Sequence, residues 1–412
     1  MINIPERTHD IITIINKLDI SPTMYQNAVE KYQALAKFLN ENGVGADIYP
    51  QGSFAFGTVV RPYSQERDPN YDLDFICQIS ATRDDISAKD LFYQVQNVLQ
   101  NSDRYSDKLV ICDECLTIEY ADINDVGFNI DIVPATAENN IDIERLRSES
   151  LRPDLIDSSI AIPFKRNDDY IWKTNNPKGF VKWFSEINLP FFSAVRIDYK
   201  NNLLVNYRQL YNSIEEIPDA LVRTPLQQVI QILKYHRNVY YSHIKNGDSI
   251  KPISAIINTV VAQMAKGTRP TQATEELLKF ILDEFRIYSH RQGMDFIEFR
   301  QFYGDRNIIY RENGKWSIVN PANPEDNLAD HWNENPEIPA YFFRWIDAAY
   351  KDLIESLSLN DYQFRSQLEN AFGSNTVQNV LGNKYSHVQP TPINTSHASK
   401  PYKDDLFNGT TS

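Results

Sequence analysis

A helical repeat of apolar residues follows Ser21 near the start of the chain. Ser21 is a good N-cap, and Pro22 suits the first position of a helix. Gly43 is placed where it would end the repeat. We therefore predict an amphipathic helix that begins at Pro22 and stops at Gly43, with the apolar face Tyr25, Ala28, Tyr32, Leu35 and Leu39.

The segments that follow alternate apolar and polar residues, which is the pattern of half-buried β-strands. Four of them are rich in Ile, Val, Tyr and Phe: ADIYP (46–50), YDLDFICQI (71–79), KLVICDECLTIEY (108–120) and FNIDIVPA (128–135). The pattern weakens between residues 140 and 200. We interpret residues 162–180 as a long loop, of the kind that often forms a functional lid.

Helical patterns dominate from Thr224 onward. Thr224 is followed by Pro225, and Gln227 occupies the capping-box position. Further helices are predicted over residues 253–265, 273–290, 337–357 and 360–371. Residues 382–412 are polar, with scattered prolines and no periodicity, so we predict a flexible tail.

The composition is that of a globular protein, since 42% of the 412 residues are hydrophobic and 12% aromatic. No apolar run reaches about 18 residues, and the N-terminus lacks the features of a secretory signal. We therefore expect no membrane span. Because three cysteines fit a reducing compartment, we also expect a cytoplasmic location. The net charge of −14 disfavours binding to long nucleic acid, because such binding depends on neutralising many phosphates.

Three aspartates occupy apolar strand segments. Asp72 and Asp74 are two residues apart, so alternation places both on one face of their strand. Asp131 has the same setting in the fourth strand, and the three carboxylates converge if these strands are neighbours. Three carboxylates without histidine or thiol partners suit a hard cation, and we predict two Mg²⁺ ions, or Mn²⁺. The competing interpretation is an edge strand whose aspartates face water.

The dipeptide Gly52-Ser53 follows the first predicted strand, within YPQGSFAFGTVV (49–60). A serine after a glycine in a turn serves as a nucleophile, as a phosphate ligand or as a helix cap. No histidine base is indicated nearby, so we favour phosphate binding. In this interpretation Gly52 lets the backbone approach the phosphate and Ser53 supplies a hydroxyl donor.

The ordered set Gly52-Ser53, Asp72-Leu73-Asp74 and Asp131 resembles the signature of the polymerase-β-type nucleotidyltransferase superfamily. Within it, PQGSFAFGT, QILKYHR and KPISAIINTVVA resemble segments of the bacterial cGAS/DncV-like nucleotidyltransferases. The resemblance covers most of residues 20–370. It implies a bilobal α+β fold, with a mixed β-sheet lobe, flanking helices and a C-terminal helical lobe. We expect a catalytic core over residues 1–200, the helical lobe over 201–381 and the tail over 382–412.

The resemblance implies a synthase that joins ribonucleoside triphosphates (ATP, GTP or pyrimidine nucleotides) into a cyclic di- or trinucleotide. Such enzymes belong to anti-phage, CBASS-type defence operons. The cyclic product would act on a downstream effector, an operon-encoded regulatory protein could meet the C-terminal tail, and we expect a monomer. Two alternatives stay open. One is a nucleotidyltransferase that extends RNA 3′ ends or modifies a small acceptor, and the other is an inactive subunit that only binds nucleotide.

The resemblance also implies substrate-binding residues beyond Gly52 and Ser53. Gln51 precedes that pair, Lys234 and Ser254 match residues that contact the donor triphosphate, and Asn176 lies in a stretch similar to the substrate lid. The ordinary alternatives are a solvated helix lysine, an N-cap serine and a turn residue before proline. Residues 320–332 resemble a segment beside the cleft, and we assign them no chemistry.

Cys112 and Cys115 form a C-x-x-C motif. A structural zinc ion needs four ligands, whereas Cys77 stands alone in mid-strand with no histidine nearby. Because the motif falls within a predicted strand, we expect its two side chains to face opposite sides. We therefore interpret the three cysteines as reduced and structural.

Overall fold

The structure is a computed structural model, and it describes residues 2–63, 70–123, 126–304 and 307–386. Its strands are β1 (Ala46–Pro50), β2 (Tyr71–Thr82), β3 (Leu109–Ile111), β4 (Leu116–Ile123), β5 (Val126–Ala137), β6 (Ile160–Arg166), β7 (Asp169–Asn175), β8 (Tyr310–Glu312) and β9 (Lys315–Ser317).

Helices account for most of the remaining described residues. The α-helices are α1 (Ile4–Leu18), α2 (Pro22–Glu41), α3 (Gly52–Phe56), α4 (Ala88–Gln100), α5 (Asn140–Glu149), α6 (Pro177–Asn206), α7 (Pro225–Ser242), α8 (Gly247–Ile250), α9 (Ser254–Ala265), α10 (Thr274–His290), α11 (Phe296–Tyr303), α12 (Asp330–Glu334), α13 (Glu337–Leu353), α14 (Asp361–Phe372) and α15 (Ser374–Leu381).

One mixed sheet contains β1 to β7. Its strands follow the order β1-β2-β5-β4-β3, and β6 pairs with both β5 and β7. The neighbours β2 and β5 are parallel, while the other pairs in this sheet are antiparallel. The parallel register places Asp74 directly beside Asp131. The two central strands therefore bring the predicted carboxylates to one place.

Two hydrophobic cores lie on either side of the short helix α3. One core packs α2 and α4 against the sheet, and the other joins α1, α6, α7, α9, α10, α13 and α14. Phe54 of α3 belongs to the first core, whereas Phe56 packs against Phe180 and Phe184 of α6 in the second. The predicted α+β fold with a mixed sheet is confirmed.

Most of the predicted helices are present at the expected positions. α2, α9, α10 and α14 agree with the prediction within two residues, and α7 has the predicted capping box at Thr224. Helix α13 ends at Leu353 and is followed by a 3₁₀ turn over Glu355–Ser358. Helix α1 was not predicted from the sequence, and its buried face carries Ile11, Ile14, Ile15 and Leu18.

Residues 140–200 are far more regular than their sequence pattern indicated. The long loop predicted over residues 162–180 is wrong, because this segment holds the β6–β7 hairpin and the start of α6. Strand β6 begins buried on both faces, whereas β7 alternates in burial but carries Ile171 on its exposed face, so neither sequence alternates cleanly between apolar and polar residues. Asn167, with φ of 57°, makes the tight turn between them.

The single strand predicted over residues 108–120 is in fact a hairpin of β3 and β4. Cys112–Cys115 form its turn, which is closed by a 3.0 Å hydrogen bond from the Cys112 N–H to the Cys115 carbonyl. The expectation that the two cysteines face opposite sides is wrong, since both Sγ atoms lie 3.8 Å from Thr117 Oγ1. All three cysteines are free thiols, as predicted.

The chain passes from α15 to residues that contact α1. The Lys384 ammonium and the Tyr385 hydroxyl both donate hydrogen bonds to the Asp10 carboxylate, at 3.0 and 2.7 Å. The rest of the predicted tail, residues 387–412, lies outside the described part of the chain. No helix within that described part is both long and apolar enough to cross a membrane.

Candidate active site

A cavity of about 490 Å³ opens between the two cores, and it is large enough for a nucleotide. The sheet side contributes Asp72 and Asp74, and the α3 side contributes Gln51, Gly52 and Ser53. The helical side contributes Lys234, Arg237, Asn238, Ser254 and Asn258. The cavity therefore brings together most of the residues that the sequence singled out.

The carboxylates form a row across the central strands. Asp74 and Asp131 are register partners on β2 and β5, and Asp72 stands two residues before Asp74 on the same face. The residues between and after them, Leu73 and Phe75, are fully buried on the opposite face. Asp72 Oδ1 accepts a 3.1 Å hydrogen bond from the Asn129 amide. The interpretation as an edge strand is wrong, because β2 lies between β1 and β5, although the Asp72 side chain is exposed on the cavity wall.

The carboxylate row is under electrostatic strain. Burial, then the charges of Asp131 and Asp72, raise the pKa of Asp74 to about 7, which Lys234 counteracts only in part. Burial also raises the pKa of Asp72 and of Asp131. Like charges gathered at one place are stabilised by a cation placed among them.

The carboxylate row has the ligand type of a divalent-metal site. Its three donor groups are carboxylates, whose oxygens are the ligands that Mg²⁺ and Mn²⁺ prefer. The three side chains repel one another, so they lie within electrostatic reach. In the described ranges, however, no three histidine, cysteine, aspartate or glutamate side chains already meet as a finished set of ligands. Metal binding by Asp72, Asp74 and Asp131 therefore stays a prediction.

Gly52 brings the backbone against the carboxylate row. Its φ of 57° lies in the left-handed region, and a Cβ at this position would collide with Asp74 Oδ2. The neighbouring Gln51 N–H donates a 2.8 Å hydrogen bond to the Asp74 carbonyl, which fixes the turn on β2. Ser53 follows on the cavity wall. Gly52 thus lies close to Asp74, whereas its expected approach to a phosphate stays a prediction.

Lys234 is buried rather than solvated. The side chain is 4% exposed, and its ammonium donates a 2.9 Å hydrogen bond to the Thr58 carbonyl. Burial, and next the charge of Arg237, lower the pKa of Lys234 to about 7, whereas Asp74 favours the charged form. Gln227 and Gln231, earlier on α7, bind the carbonyls of residues 56 and 59 in the same way. Gln227, Gln231 and Lys234 thus form a polar stripe on α7 that holds the end of α3 and the segment after it in place.

Ser254 is the first residue of α9, and Ile253 occupies the N-cap position. The alternative of a capping serine is therefore not supported. Ser254 Oγ instead accepts a 3.3 Å hydrogen bond from Arg237, whose guanidinium also donates to the Pro252 carbonyl at 2.8 Å. Burial lowers the pKa of Arg237 to about 10.

Arg237 and Asn258 are among the polar residues of this wall that the sequence did not predict. Arg237 lies three residues after Lys234 on α7, and Asn258 lies four residues after Ser254 on α9. Both spacings return to the same helix face, and that was the available signal. Asn258 is 3% exposed, and its Oδ1 has no hydrogen-bond partner among the described residues. A buried acceptor without a partner is costly unless a ligand satisfies it.

The structure places Asn176 outside the cavity. Its amide nitrogen donates to the carbonyls of Leu155 and Ala322, both at 2.9 Å, and its Oδ1 accepts from Ser158 and from the Gly179 N–H. Asn176 is the N-cap of α6, and the predicted contact with substrate gains no support from this arrangement. Asn175, one residue earlier, lines the cavity instead.

The N-terminal part of the chain matches a known family. Residues 8–149 match the SMODS family, described as the Second Messenger Oligonucleotide or Dinucleotide Synthetase domain. The chain is also similar to the c-di-GMP synthase of Roseivirga ehrenbergii, with 25% identity over 341 residues, which is 81% of this chain and 75% of the relative.

Solved structures share the fold. One is the CD-NTase CdnG of Bradyrhizobium diazoefficiens in complex with GTP, with a TM-score of 0.64 and 19% identity over 90% of this chain and 97% of that one. Another is CdnC of E. coli MS115-1 with ATP, with a TM-score of 0.53 and 15% identity over 89% of this chain and 97% of that one. Residues 8–149 thus match the SMODS family, and the chain has the fold of the bacterial cGAS/DncV-like nucleotidyltransferases (CD-NTases).

Proposed function

We propose that this protein joins ribonucleoside triphosphates into a cyclic di- or trinucleotide and releases pyrophosphate. The observation that carries the proposal is the arrangement of one cavity between an acidic and a basic wall. Asp72 and Asp74 line the cavity from β2, with Asp131 beside Asp74 on β5, while Lys234 and Arg237 face the same space from α7. Phosphoryl transfer needs this division, because charge must be balanced on the attacking and on the leaving oxygens.

The carboxylates are the proposed ligands of two divalent ions, Mg²⁺ or Mn²⁺, held by Asp72, Asp74 and Asp131. Such ions neutralise phosphate charge and lower the pKa of a bound hydroxyl. Asp131 is the proposed acceptor of the proton from the attacking hydroxyl. Its pKa is raised by burial, which makes it a better base than an exposed carboxylate.

The basic wall is the proposed site of the donor triphosphate. Lys234 and Arg237 are both buried, so their charges act on a bound phosphate with little screening by water. Ser254 begins α9, where hydroxyl and backbone donors favour an anion. Ser53 completes the phosphate contacts from the α3 side, and Gln51 is a proposed contact beside it.

The named relatives bear on the substrate class. A relative is called a c-di-GMP synthase, and two solved structures with this fold hold GTP or ATP. We propose purine nucleoside triphosphates as the first substrates to test. Transfer to RNA 3′ ends, transfer to a small acceptor and nucleotide binding without catalysis are the competing outcomes.

The test is incubation with the four labelled ribonucleoside triphosphates and Mg²⁺ or Mn²⁺, followed by nuclease mapping and mass spectrometry. We expect a phosphatase-resistant cyclic product that disappears in Asp72→Ala/Asp74→Ala, with activity lowered by more than about a thousandfold. Asp84→Asn is the matched control, because Asp84 is an exposed carboxylate just beyond the far end of β2. Long linear tails on added RNA would contradict the proposal.

The biological role forms a separate part of the proposal. We propose that the product signals to an effector in anti-phage defence, and that a regulatory partner meets residues of the C-terminal tail. We also propose the division into a catalytic core over 1–200, a helical lobe over 201–381 and the tail. Phage challenge of cells carrying the intact operon or its Asp72→Ala/Asp74→Ala form tests the role. Equal plaque counts in the two strains would exclude it.

A further inference from the structure

The β3–β4 hairpin contacts the carboxylate row through Thr117. Thr117 is 9% exposed on β4, and its register partner on β5 is Asp131. The Thr117 hydroxyl donates a 2.6 Å hydrogen bond to Asp131 Oδ1. Because Asp131 in turn pairs with Asp74 on β2, the three residues form one line across three strands.

The C-x-x-C motif surrounds the other side of this hydroxyl. Cys112 Sγ and Cys115 Sγ both lie 3.8 Å from Thr117 Oγ1. A hydroxyl has one proton and two acceptor sites, and the proton of Thr117 is used on Asp131. The two thiols are therefore the donors in their contacts with Thr117. Their S–H groups occupy the acceptor sites and direct the hydroxyl proton toward the carboxylate.

We propose that Thr117, oriented by Cys112 and Cys115, is the positioning residue for Asp131. The hydrogen bond engages Oδ1 and fixes the rotation of the carboxylate, which leaves Oδ2 to bind a metal ion. The inference rests on the proposed function, in which Asp131 is a metal ligand. Partners that orient a ligand in this way are worth about 10–100-fold in metal affinity or activity.

The central test compares Thr117→Val with Thr117→Ser. Binding of Mn²⁺ alone to the full-length protein is measured from the loss of the free-ion signal in electron paramagnetic resonance. We expect Thr117→Val to weaken Mn²⁺ binding about 10–100-fold, and Thr117→Ser to restore binding close to the wild-type value. The benchmark is Asp131→Asn, which removes the ligand itself.

The matched control is Thr136→Val. Thr136 is another buried threonine of this sheet, and its hydroxyl binds the Ala81 carbonyl beyond the carboxylate row. We expect this variant to lose stability and to keep its Mn²⁺ affinity. A folded Thr117→Val, verified by near-UV circular dichroism, that binds Mn²⁺ as tightly as the wild type would overturn the proposal.

The thiols are tested with Cys112→Ala/Cys115→Ala. Because S–H is a weak donor, we expect a smaller loss of Mn²⁺ affinity, about two- to fivefold. Unchanged affinity would overturn the orienting role of the thiols. Failure of this proposal can be distinguished from failure of the proposed function. If the wild-type protein binds Mn²⁺ in a Thr117-dependent way but yields no nucleotide product, the synthase function is refuted and the positioning role of Thr117 stands.

Discussion

The two walls of the cavity are built in different ways. The acidic wall consists of neighbouring strands, and its residues meet because β2 and β5 lie in register. The basic wall consists of two helices, and its cations are held by carbonyl groups from remote loops, as in the bond from Lys234 to Thr58. The acidic wall thus depends on sheet pairing, whereas the basic wall depends on packing between the two cores.

The difference also concerns charge. The acidic wall gathers like charges, which raise the pKa of Asp74. The basic wall gathers Lys234 and Arg237, and burial lowers the pKa of both. Each wall is destabilised in its charged form, and a ligand of opposite charge would stabilise each of them: a cation at the acidic wall and an anion at the basic wall. Site residues of this kind lower stability in exchange for function.

Among the substitutions that distinguish the two walls, we expect Lys234→Met to have the largest effect on activity. This change keeps the side-chain volume and removes the charge. Loss of one buried donor to a phosphate should lower kcat/KM for nucleotidyl transfer about 10²–10³-fold. Metal binding at the carboxylates should persist. Steady-state kinetics with each nucleotide check this, and Lys245→Met, in the exposed segment after α7, is the control. Wild-type kinetics in Lys234→Met would remove the basic wall from the mechanism.

The next effect probes the contact between α3 and the acidic wall. Gly52→Ala places a methyl group against Asp74 and should reduce activity about 10–100-fold, in addition to a backbone cost of about 1 kcal/mol. Gly45→Ala is a close control, because its φ is 61° and nothing lies within 4 Å of the added Cβ. Both variants should lose similar stability in urea unfolding, and only Gly52→Ala should lose activity.

The pH dependence of stability should differ in sign between the walls. Asp74, raised from 3.8 to about 7, keeps a proton that the unfolded chain releases, so its contribution falls as pH rises through this window. Lys234, lowered from 10.5 to about 7, has lost a proton that the unfolded chain keeps. Its contribution therefore rises with pH between about 7 and 10.5.

Substitution should remove these two slopes one at a time. Asp74→Asn should remove the pH dependence of the free energy of unfolding below about pH 7, and Lys234→Met should remove the dependence above it. Each change in the free energy of unfolding should amount to about 1–4 kcal/mol. Urea unfolding across this pH range, with a chelator present, measures both. If Asp74→Asn kept the wild-type slope below pH 7, the carboxylate would not be the group that couples stability to pH.

The smallest expected effects distinguish two adjacent asparagines. Asn176→Ala removes the N-cap of α6 and should cost about 1–2 kcal/mol of stability. Asn175→Ala, on the cavity wall, should leave stability within about 0.5 kcal/mol and should raise KM for nucleotide. Thermal unfolding and KM measured on both variants decide the matter. The reverse pattern would restore the sequence-based assignment of Asn176.

The acidic wall could be predicted from the sequence because a period-2 pattern places Asp72 and Asp74 on one face without knowledge of the fold. Lys234 and Ser254 needed resemblance to a family, since a lysine on a helix looks the same whether buried or solvated. Arg237 and Asn258 were missed because their importance depends on which helix faces meet. The hairpin of Cys112 and Cys115 was hidden within an apolar run, where its turn carries no glycine or proline.

Hydrogen bonds between distant segments of the chain have a consequence for folding. Lys234 meets Thr58 across 176 residues of chain, and Asn176 meets Ala322 across 146. Contacts of such sequence separation form only after the loops between them are closed. The synthetase domain of residues 8–149 contains every carboxylate of the row and none of the basic wall. A nascent chain that has emerged only as far as this domain can pair strands β1 to β5, yet it lacks the basic wall until α7 and α9 have followed.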